Sequence, residues 1–182
     1  MITINYSIDK EDQLTAQLFL VSKSERIKKK RRKNRLLSPI IFIILSIISL
    51  ITKDYFLPIY FLLFSIAYYF IYPIWERRHY IKHYQGFIED KFQDNQHIQA
   101  ELIIDNEHFK IKDDYTESKV KTSLIKEFHE IQQCIFIILD EGQTLFLPKN
   151  KLENVEEIRT QLQDLANHLK INYTIEEDWK WK

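Results

Sequence analysis

The sequence predicts an α+β membrane protein, built from a two-helix transmembrane hairpin and a small antiparallel β domain that a C-terminal amphipathic helix closes. Two long apolar segments lie three residues apart between residues 36 and 75. From His97 onward the apolar residues alternate as they do in strands, and between residues 154 and 170 they recur at helical spacing. Together these three patterns predict the fold class.

The two apolar segments differ in length. Leu36 to Ile51 has twelve apolar residues in sixteen and no charge, and as a helix it covers about 24 Å of a hydrocarbon core that is about 30 Å thick. Tyr55 to Trp75 covers about 31 Å and spans without help. Pro39 is expected to kink the first helix or to start a new one. We predict transmembrane helices at 36–52 and 55–75, with the missing length supplied by upstream basic side chains that reach the headgroups or by thinning of the bilayer.

Two other arrangements of these segments remain open. A re-entrant hairpin would insert from one face without crossing, and a soluble hairpin would be buried in a protein core. The soluble arrangement is disfavoured, because two such segments in succession need more covering chain than 182 residues supply.

Basic residues flank the hairpin on the same side. Nine of the thirteen residues from Lys23 to Arg35 are Lys or Arg, and Arg77, Arg78 and Lys82 follow the second segment. The connection 52–54 carries only one Lys and one Asp. The positive-inside rule therefore predicts a multi-pass protein with both termini in the cytoplasm.

The basic residues are predicted to contact anionic lipid. Residues 1–35 carry ten basic and four acidic residues, whereas residues 76–182 carry fifteen and twenty-one. Nucleic-acid binding is disfavoured, because the run adjoins the bilayer and has no interleaved aromatic residues. The predicted membrane-surface residues are Lys28, Lys29, Lys30, Arg31, Arg32, Lys33, Arg35, Arg77 and Arg78.

The segments on either side of the hairpin have their own patterns. Residues 1–35 predict a strand from Ile2 to Ile8, an amphipathic helix capped by Asp9, and then the basic arm. Residues 76–95 predict a juxtamembrane helix, in which Gly86 marks a possible bend. His79 and His83 lie one helical turn apart, but no third metal ligand is nearby in the sequence, so we predict no metal site.

Residues 96–182 predict the β domain. Five or six short antiparallel strands, forming a half-barrel or sandwich, are expected before Pro148, with CIFIIL (134–139) central because it is apolar on both faces. Cys134 is accordingly predicted to be a buried thiol. The helix 154–170 is expected to begin with Asn154 and Glu157 in a capping box and to bury its leucine stripe.

The end of the chain alternates tryptophan with lysine. Trp179 and Trp181 either belong to an added edge strand or rest at the membrane surface. The pattern does not separate these alternatives.

Features of known catalytic sites are missing from the sequence. The chain has two glycines, so it has no phosphate-binding Gly-rich loop, and it contains no G-x-S-x-G, H-E-x-x-H or C-x-x-C motif. Neither apolar segment holds an ionisable residue, which argues against an ion pathway. We predict a protein that is not an enzyme and has no cofactor.

Several segments, taken in order, carry a family resemblance. They are the strand-helix start, the arm SKSERIKKKRR (22–32), the tight hairpin, SKVKTSLIKEF (118–128), and TLFLPKNKL (144–152) followed by an amphipathic helix. As a set they resemble the YcxB-like membrane proteins of bacteria over nearly the whole chain. The resemblance implies a bacterial plasma-membrane protein whose cytoplasmic part is a PH-like β domain. It implies no established activity and no catalytic residues.

Two functions follow as expectations. The first is a noncatalytic, membrane-tethered module that binds a protein or peptide partner, or a second copy of itself, at the cytoplasmic face. The alternative is a PH-like sensor of anionic lipid headgroups. Its phosphate-facing cluster would be Lys119, Lys121, Lys149 and Lys151.

Overall fold

The computed structural model describes residues 2–52, 56–92, 97–105, 107–113, 117–140 and 142–182. In this part of the chain the helices are α1 (Lys10–Lys23), α2 (Glu25–Ser49), α3 (Phe56–Phe92) and α4 (Val155–Leu169). The strands are β1 (Ile2–Asp9), β2 (His97–Ile104), β3 (His108–Asp113), β4 (Glu117–Lys121), β5 (Ile125–Glu130), β6 (Cys134–Leu139), β7 (Thr144–Pro148) and β8 (Asn172–Ile175). The predicted α+β class is confirmed.

The chain divides into two compact units. One unit, the β unit, comprises residues 1–16 and 87–180. The other, the helical unit, comprises residues 17–86 and 181–182. The predicted connection at Lys53 and Asp54 lies outside the described residues, and a short 3-10 turn, Leu50–Thr52, follows α2.

Two four-stranded sheets form the β unit. The first sheet has the order β1-β2-β3-β4 and is antiparallel throughout, and the second has the order β7-β6-β5-β8. Strand β8 runs parallel to β5, which the expectation of five or six antiparallel strands missed. Its four residues, NYTI, are too short to show a strand period beside the long amphipathic helix that precedes them.

The N-terminal strand closes the first sheet. β1 pairs with β2 over its full length, from Ile2 opposite Ile104 to Asp9 opposite His97. All of residues 10–96, including α1, α2 and α3, therefore lie within the connection between two neighbouring strands.

The core of the β unit lies between the two sheets and α4. It includes Leu102 and Phe109 from the first sheet, Phe128 and Ile135 from the second, and Leu162 from α4. β6 lies between β5 and β7 and is buried, as predicted for CIFIIL. The predicted leucine stripe of α4 is confirmed as core.

Two predicted helix signals behave differently. Asp9 and Asp12 make a reciprocal cap at the start of α1, since each carboxylate accepts a hydrogen bond from the backbone N–H of the other, at 2.9 and 3.1 Å. The predicted capping box of α4 is wrong, because the Asn154 side chain caps no helix N–H. Glu157 instead accepts a hydrogen bond from Gln161, one turn further along the helix.

The basic arm and the first apolar segment form one helix. α2 runs through Pro39 without a break, so the expected new start at this proline is wrong. A proline removes a single N–H donor, and here that loss does not end a helix whose apolar pattern continues for ten further residues.

The second apolar segment and the juxtamembrane segment also form one helix. α3 continues through Pro73 and Gly86, with no boundary at residue 76. Among the described helices it is the one long and apolar enough to cross a membrane. Its most apolar 18-residue stretch has a mean hydropathy of 1.7, and only 11% of that stretch is buried. α2 falls short of this criterion because its charged residues end at Arg35, leaving fourteen uncharged residues, 36–49.

Candidate functional site

Helices α2 and α3 lie side by side and run in opposite directions. The Ser46 hydroxyl donates to the carbonyl of Pro58 at 3.0 Å, and the Ser65 hydroxyl donates to the carbonyl of Pro39 at 3.2 Å. The buried serines described on these helices are Ser46, Ser49 and Ser65. Each of their hydroxyls donates a hydrogen bond to a backbone carbonyl. Small hydroxyl residues of this kind allow apolar helices to approach each other closely.

An ion pair and an aromatic cluster join the cytoplasmic ends predicted for these two helices. Arg31 donates to the buried carboxylate of Glu76 at 3.0 Å, and the Tyr72 hydroxyl donates to the other carboxylate oxygen at 3.3 Å. The Arg31 guanidinium also lies over Trp181, 4.8 Å from the ring centroid, and over Tyr80, at 5.7 Å. We refer to these five residues as the Arg31 cluster.

The Arg31 cluster shows which contacts Trp181 of the C-terminal tail makes. Residues 176–182 contain no strand, and Trp181 is buried with its indole N–H directed at the carbonyl of Arg77, at 3.5 Å. Arg31 donates a second hydrogen bond to the carbonyl of Lys182 at 2.7 Å. The edge-strand placement of Trp181 is therefore wrong, and a cation–π contact with Arg31 holds the ring at the junction of α2 and α3.

The predicted membrane-surface residues divide into two groups. Arg31 is paired with Glu76, and Arg35 lies over the ring of Tyr69 at 4.2 Å. The remaining members are exposed, and they are Lys28, Lys29, Lys30, Arg32, Lys33, Arg77 and Arg78. The exposed cations surround the same ends of α2 and α3 that the Arg31 cluster joins.

The structure does not bring the four predicted headgroup lysines together. Lys119 and Lys121 are exposed on β4, at the edge of the first sheet opposite β1. Lys149 is instead bonded to the buried Glu130, and Lys151 pairs with Asp9 of β1 at 3.3 Å. These lysines belong to three separate places on the β unit, and the place of Lys149 is an internal ion-pair centre.

That centre is built on Glu130 at the end of β5. Its side chain is fully buried and accepts hydrogen bonds from Arg159 at 2.8 Å, from the Tyr173 hydroxyl at 2.6 Å, and from Lys149. Burial opposes the charge on Glu130, but the hydrogen bonds from Arg159, Lys149 and Tyr173 outweigh it and lower the pKa of this carboxyl. Both carboxylate oxygens of Glu130 already accept hydrogen bonds from side chains of the β unit. The centre therefore has the features of a structural ion pair.

Sequence reasoning missed Glu130, although a signal was present. In β5 the side chains of Phe128 and Glu130 share a face, because strand residues alternate. A carboxylate on the core-facing side of a strand requires cationic partners. The partners come from α4, β8 and the turn after β7, which no local pattern could identify.

Cys134 and His129 are two further side chains of the β unit that carry reactive groups. Burial raises the pKa of the Cys134 thiol to about 12, which keeps it in the unreactive thiol form. His129 lies between two carboxylates, with Glu176 at 3.0 Å and Glu127 at 3.4 Å. Among the described residues this arrangement contains no hydroxyl or thiol nucleophile next to a base.

No metal site is present in the described part of the chain, where no group of three or more His, Cys, Asp or Glu residues could hold an ion. His79 stacks on Trp75 at 5.1 Å, and His83 meets the edge of Tyr84 at 5.3 Å. Both histidines thus contact aromatic rings of their own helix.

Comparisons with known proteins identify no relative, since no family model, no curated protein and no solved structure matches this chain.

Proposed function

We propose that this chain is a noncatalytic interaction module of the bacterial plasma membrane, tethered by a two-pass hairpin of α2 and α3 and exposing its β unit to the cytoplasm. The observation that carries the proposal is the exposed apolar surface of α3, of whose most apolar stretch only 11% is buried. A surface of that size on a protein in water would associate or aggregate. In a membrane the lipid chains cover this apolar surface, so it is not exposed to water.

The alignment of the two helices supports the two-pass arrangement. Contacts from Ser46 to Pro58, from Ser65 to Pro39 and from Arg31 to Glu76 place the apolar residues of α2 beside those of α3. Their basic residues then lie at one level, as expected for two helices that enter and leave through the same leaflet. The apolar part of α2 is short, but its hydrogen bonds to the longer α3 hold it beside that helix.

The strand order of the β unit supports a PH-like fold, as the YcxB-like resemblance implies. Four antiparallel strands, β1 to β4, are followed by three more, β5 to β7, and then by α4, which packs into the core between the sheets. Domains of this architecture bind peptides along a sheet edge or beside the helix. Fold analogy gives the mode of binding and leaves the partner undefined.

The outer face of β3 and β4 is the surface that we assign to the partner. Lys110 lies directly opposite Lys119, and the exposed Lys121 lies on the same strand as Lys119. Like charges in register destabilise a sheet, and an acidic partner strand added at the β4 edge would offset that repulsion. The proposed partner is therefore an acidic protein segment.

Photo-crosslinking in intact membranes tests this function. A benzophenone amino acid at Lys119 is expected to form a specific protein adduct, whereas one at Thr160, exposed on α4, is not. The double substitution Lys110→Glu and Lys121→Glu should abolish the adduct, because it reverses the charge of the surface. Equal adducts from both positions, or an adduct that survives charge reversal, would contradict the proposal.

A further inference from the structure

An apolar groove runs between α2 and α3 within the helical unit. Its volume is about 710 Å³, within the range of small-molecule sites. Phe42 of α2 and Phe64 and Ala67 of α3 line its deeper part, with the two phenylalanine rings 6.3 Å apart. The groove can thus hold a flexible apolar chain.

The other end of the groove is polar and aromatic. Asn34, Tyr72 and Trp75 line it there, at the level of the Arg31 cluster. One turn beyond the groove, Lys30 lies four residues before Asn34 on α2, and Arg78 lies three residues after Trp75 on α3. Residues three or four apart share a helix face, so both cations are at the mouth of the groove.

These two cations are exposed, and the described residues give neither of them an ion-pair partner. In this they differ from Arg31, whose charge Glu76 compensates. Side chains on a helix lean toward its N-terminus, which directs Arg78 back toward the groove and Lys30 outward, beyond the mouth of the groove. An apolar groove with a cationic mouth is complementary to a molecule that has an acyl chain and an anionic head.

We propose that this groove binds one anionic phospholipid, with an acyl chain against Phe42, Phe64 and Ala67 and the phosphate at Lys30 and Arg78. The assignment rests on the proposed membrane function, since it places the groove in the inner leaflet. It goes beyond general attraction to an anionic surface, because it predicts one retained lipid for each chain at defined residues.

Charge argues against a second copy of the chain as the occupant. Two copies in the same membrane share one orientation, so a contact through this groove would bring the mouths of both grooves, each with Lys30 and Arg78, close together. Salt screens such a repulsion only in part when the charges lie closer than the Debye length, which is about 8 Å at physiological ionic strength. A phosphate in the same position is attracted instead.

Native mass spectrometry of the detergent-solubilised full chain tests the site directly. The protein is reconstituted with phosphatidylglycerol or phosphatidylcholine and then extracted. We expect one phosphatidylglycerol per chain to be retained and phosphatidylcholine to be lost. Lys30→Gln and Arg78→Gln should each weaken phosphatidylglycerol binding roughly fivefold.

Matched controls separate the site from nonspecific effects. Lys29→Gln with Arg32→Gln removes two charges from the opposite face of α2 and should leave retention unchanged. Ala67→Trp should block the groove, whereas Ile66→Trp, one position away and also exposed, should not. Both tryptophan variants replace exposed side chains, and helical circular dichroism verifies that they fold.

The outcomes that overturn the proposal are distinct. Equal retention of the two lipids, undiminished binding by Ala67→Trp, or a dimer that Ala67→Trp dissociates would refute the lipid site alone. If alkaline carbonate releases the full chain from membranes, the membrane function itself fails, whatever the lipid result.

Discussion

At the scale of single residues, Glu130 is the side chain on which the β unit depends most. It is fully buried and compensates the charges of Lys149 and Arg159. We predict that Glu130→Gln lowers the free energy of unfolding by about 3 kcal/mol, because Lys149 loses its counter-charge and Arg159 keeps only the exposed Glu156. Thermal unfolding of the full chain in detergent measures this.

The matched control is Glu156→Gln. Glu156 also bonds Arg159, at 2.6 Å, but its side chain is 80% exposed. Exposed pairs contribute at most about 1 kcal/mol, so this variant should unfold near the wild-type temperature. Equal losses of stability in the two variants would contradict the claim that the burial of Glu130 determines its contribution to folding.

Asp12 makes a different prediction, which concerns pH. Burial, together with the charge of nearby Asp9, raises the pKa of Asp12 from 3.8 to about 6. The folded state thus binds this proton more tightly than the unfolded state does, so stability falls as pH rises from about 4 to about 6. The expected loss is about 1 kcal/mol, reduced from the full value by solvent screening.

Asp12→Asn should remove this slope. Asp9, whose pKa is lowered, acts in the opposite sense, and its contribution is lost only as pH falls below about 4. The two carboxyls are therefore separated by their pH windows. Unfolding curves at pH 4, 5, 6 and 7 for both proteins provide the measurement, and an unchanged slope in Asp12→Asn would contradict the assignment.

At the scale of elements, local patterns identified most helices and strands but placed some boundaries wrongly. The apolar period located β6 and α4 correctly, because each is long or strongly patterned. The expected new helix start at Pro39 is wrong, because helix-forming residues on both sides outweigh one proline. The helix α3 likewise continues through Gly86. Trp181 could not be placed from sequence, since its partners are a hundred or more residues away.

The junction of α2 and α3 gives the prediction at this scale. Glu76→Gln removes the carboxylate that Arg31 and Tyr72 share, so we expect a loss of about 1 to 3 kcal/mol in the stability of the helical unit. Glu25→Gln, which removes an exposed pair with Lys28, is the control and should have little effect. Helix content during heating in detergent distinguishes the two, and identical curves would contradict a structural role for the Arg31 cluster.

At the scale of the whole molecule, the main feature is that residues 10–96 interrupt a pair of adjacent strands. The sequence predicts a strand at 2–8 and a domain from residue 96, but pairing across so long an insertion leaves no local signal. In the structure Asp9 at the end of β1 pairs with His97 at the start of β2, so the two strands are neighbours in one sheet. The fragment 96–182 consequently lacks β1 and leaves core residues Ile4 and Tyr6 without replacement.

This arrangement can be tested by shortening the chain. Joining residues 1–9 to residues 97–182 through Asn-Gly should give a folded β domain, because that dipeptide favours a two-residue hairpin turn. The fragment 97–182 alone should aggregate or remain unfolded. Cooperative thermal unfolding is the readout, and a stable fragment without β1 would contradict the assigned role of this strand.

The central claim is that α2 and α3 cross the membrane as a hairpin with both chain ends in the cytoplasm, and cysteine labelling of bacterial spheroplasts tests it most directly. Cys134 is buried and stays unlabelled, so Ile51→Cys, Glu117→Cys and Lys180→Cys can be compared in the native background. Membrane-impermeant maleimide should label Ile51→Cys in intact spheroplasts and the other two only after lysis. Labelling of Lys180→Cys before lysis, or protection of Ile51→Cys until lysis, would contradict the account.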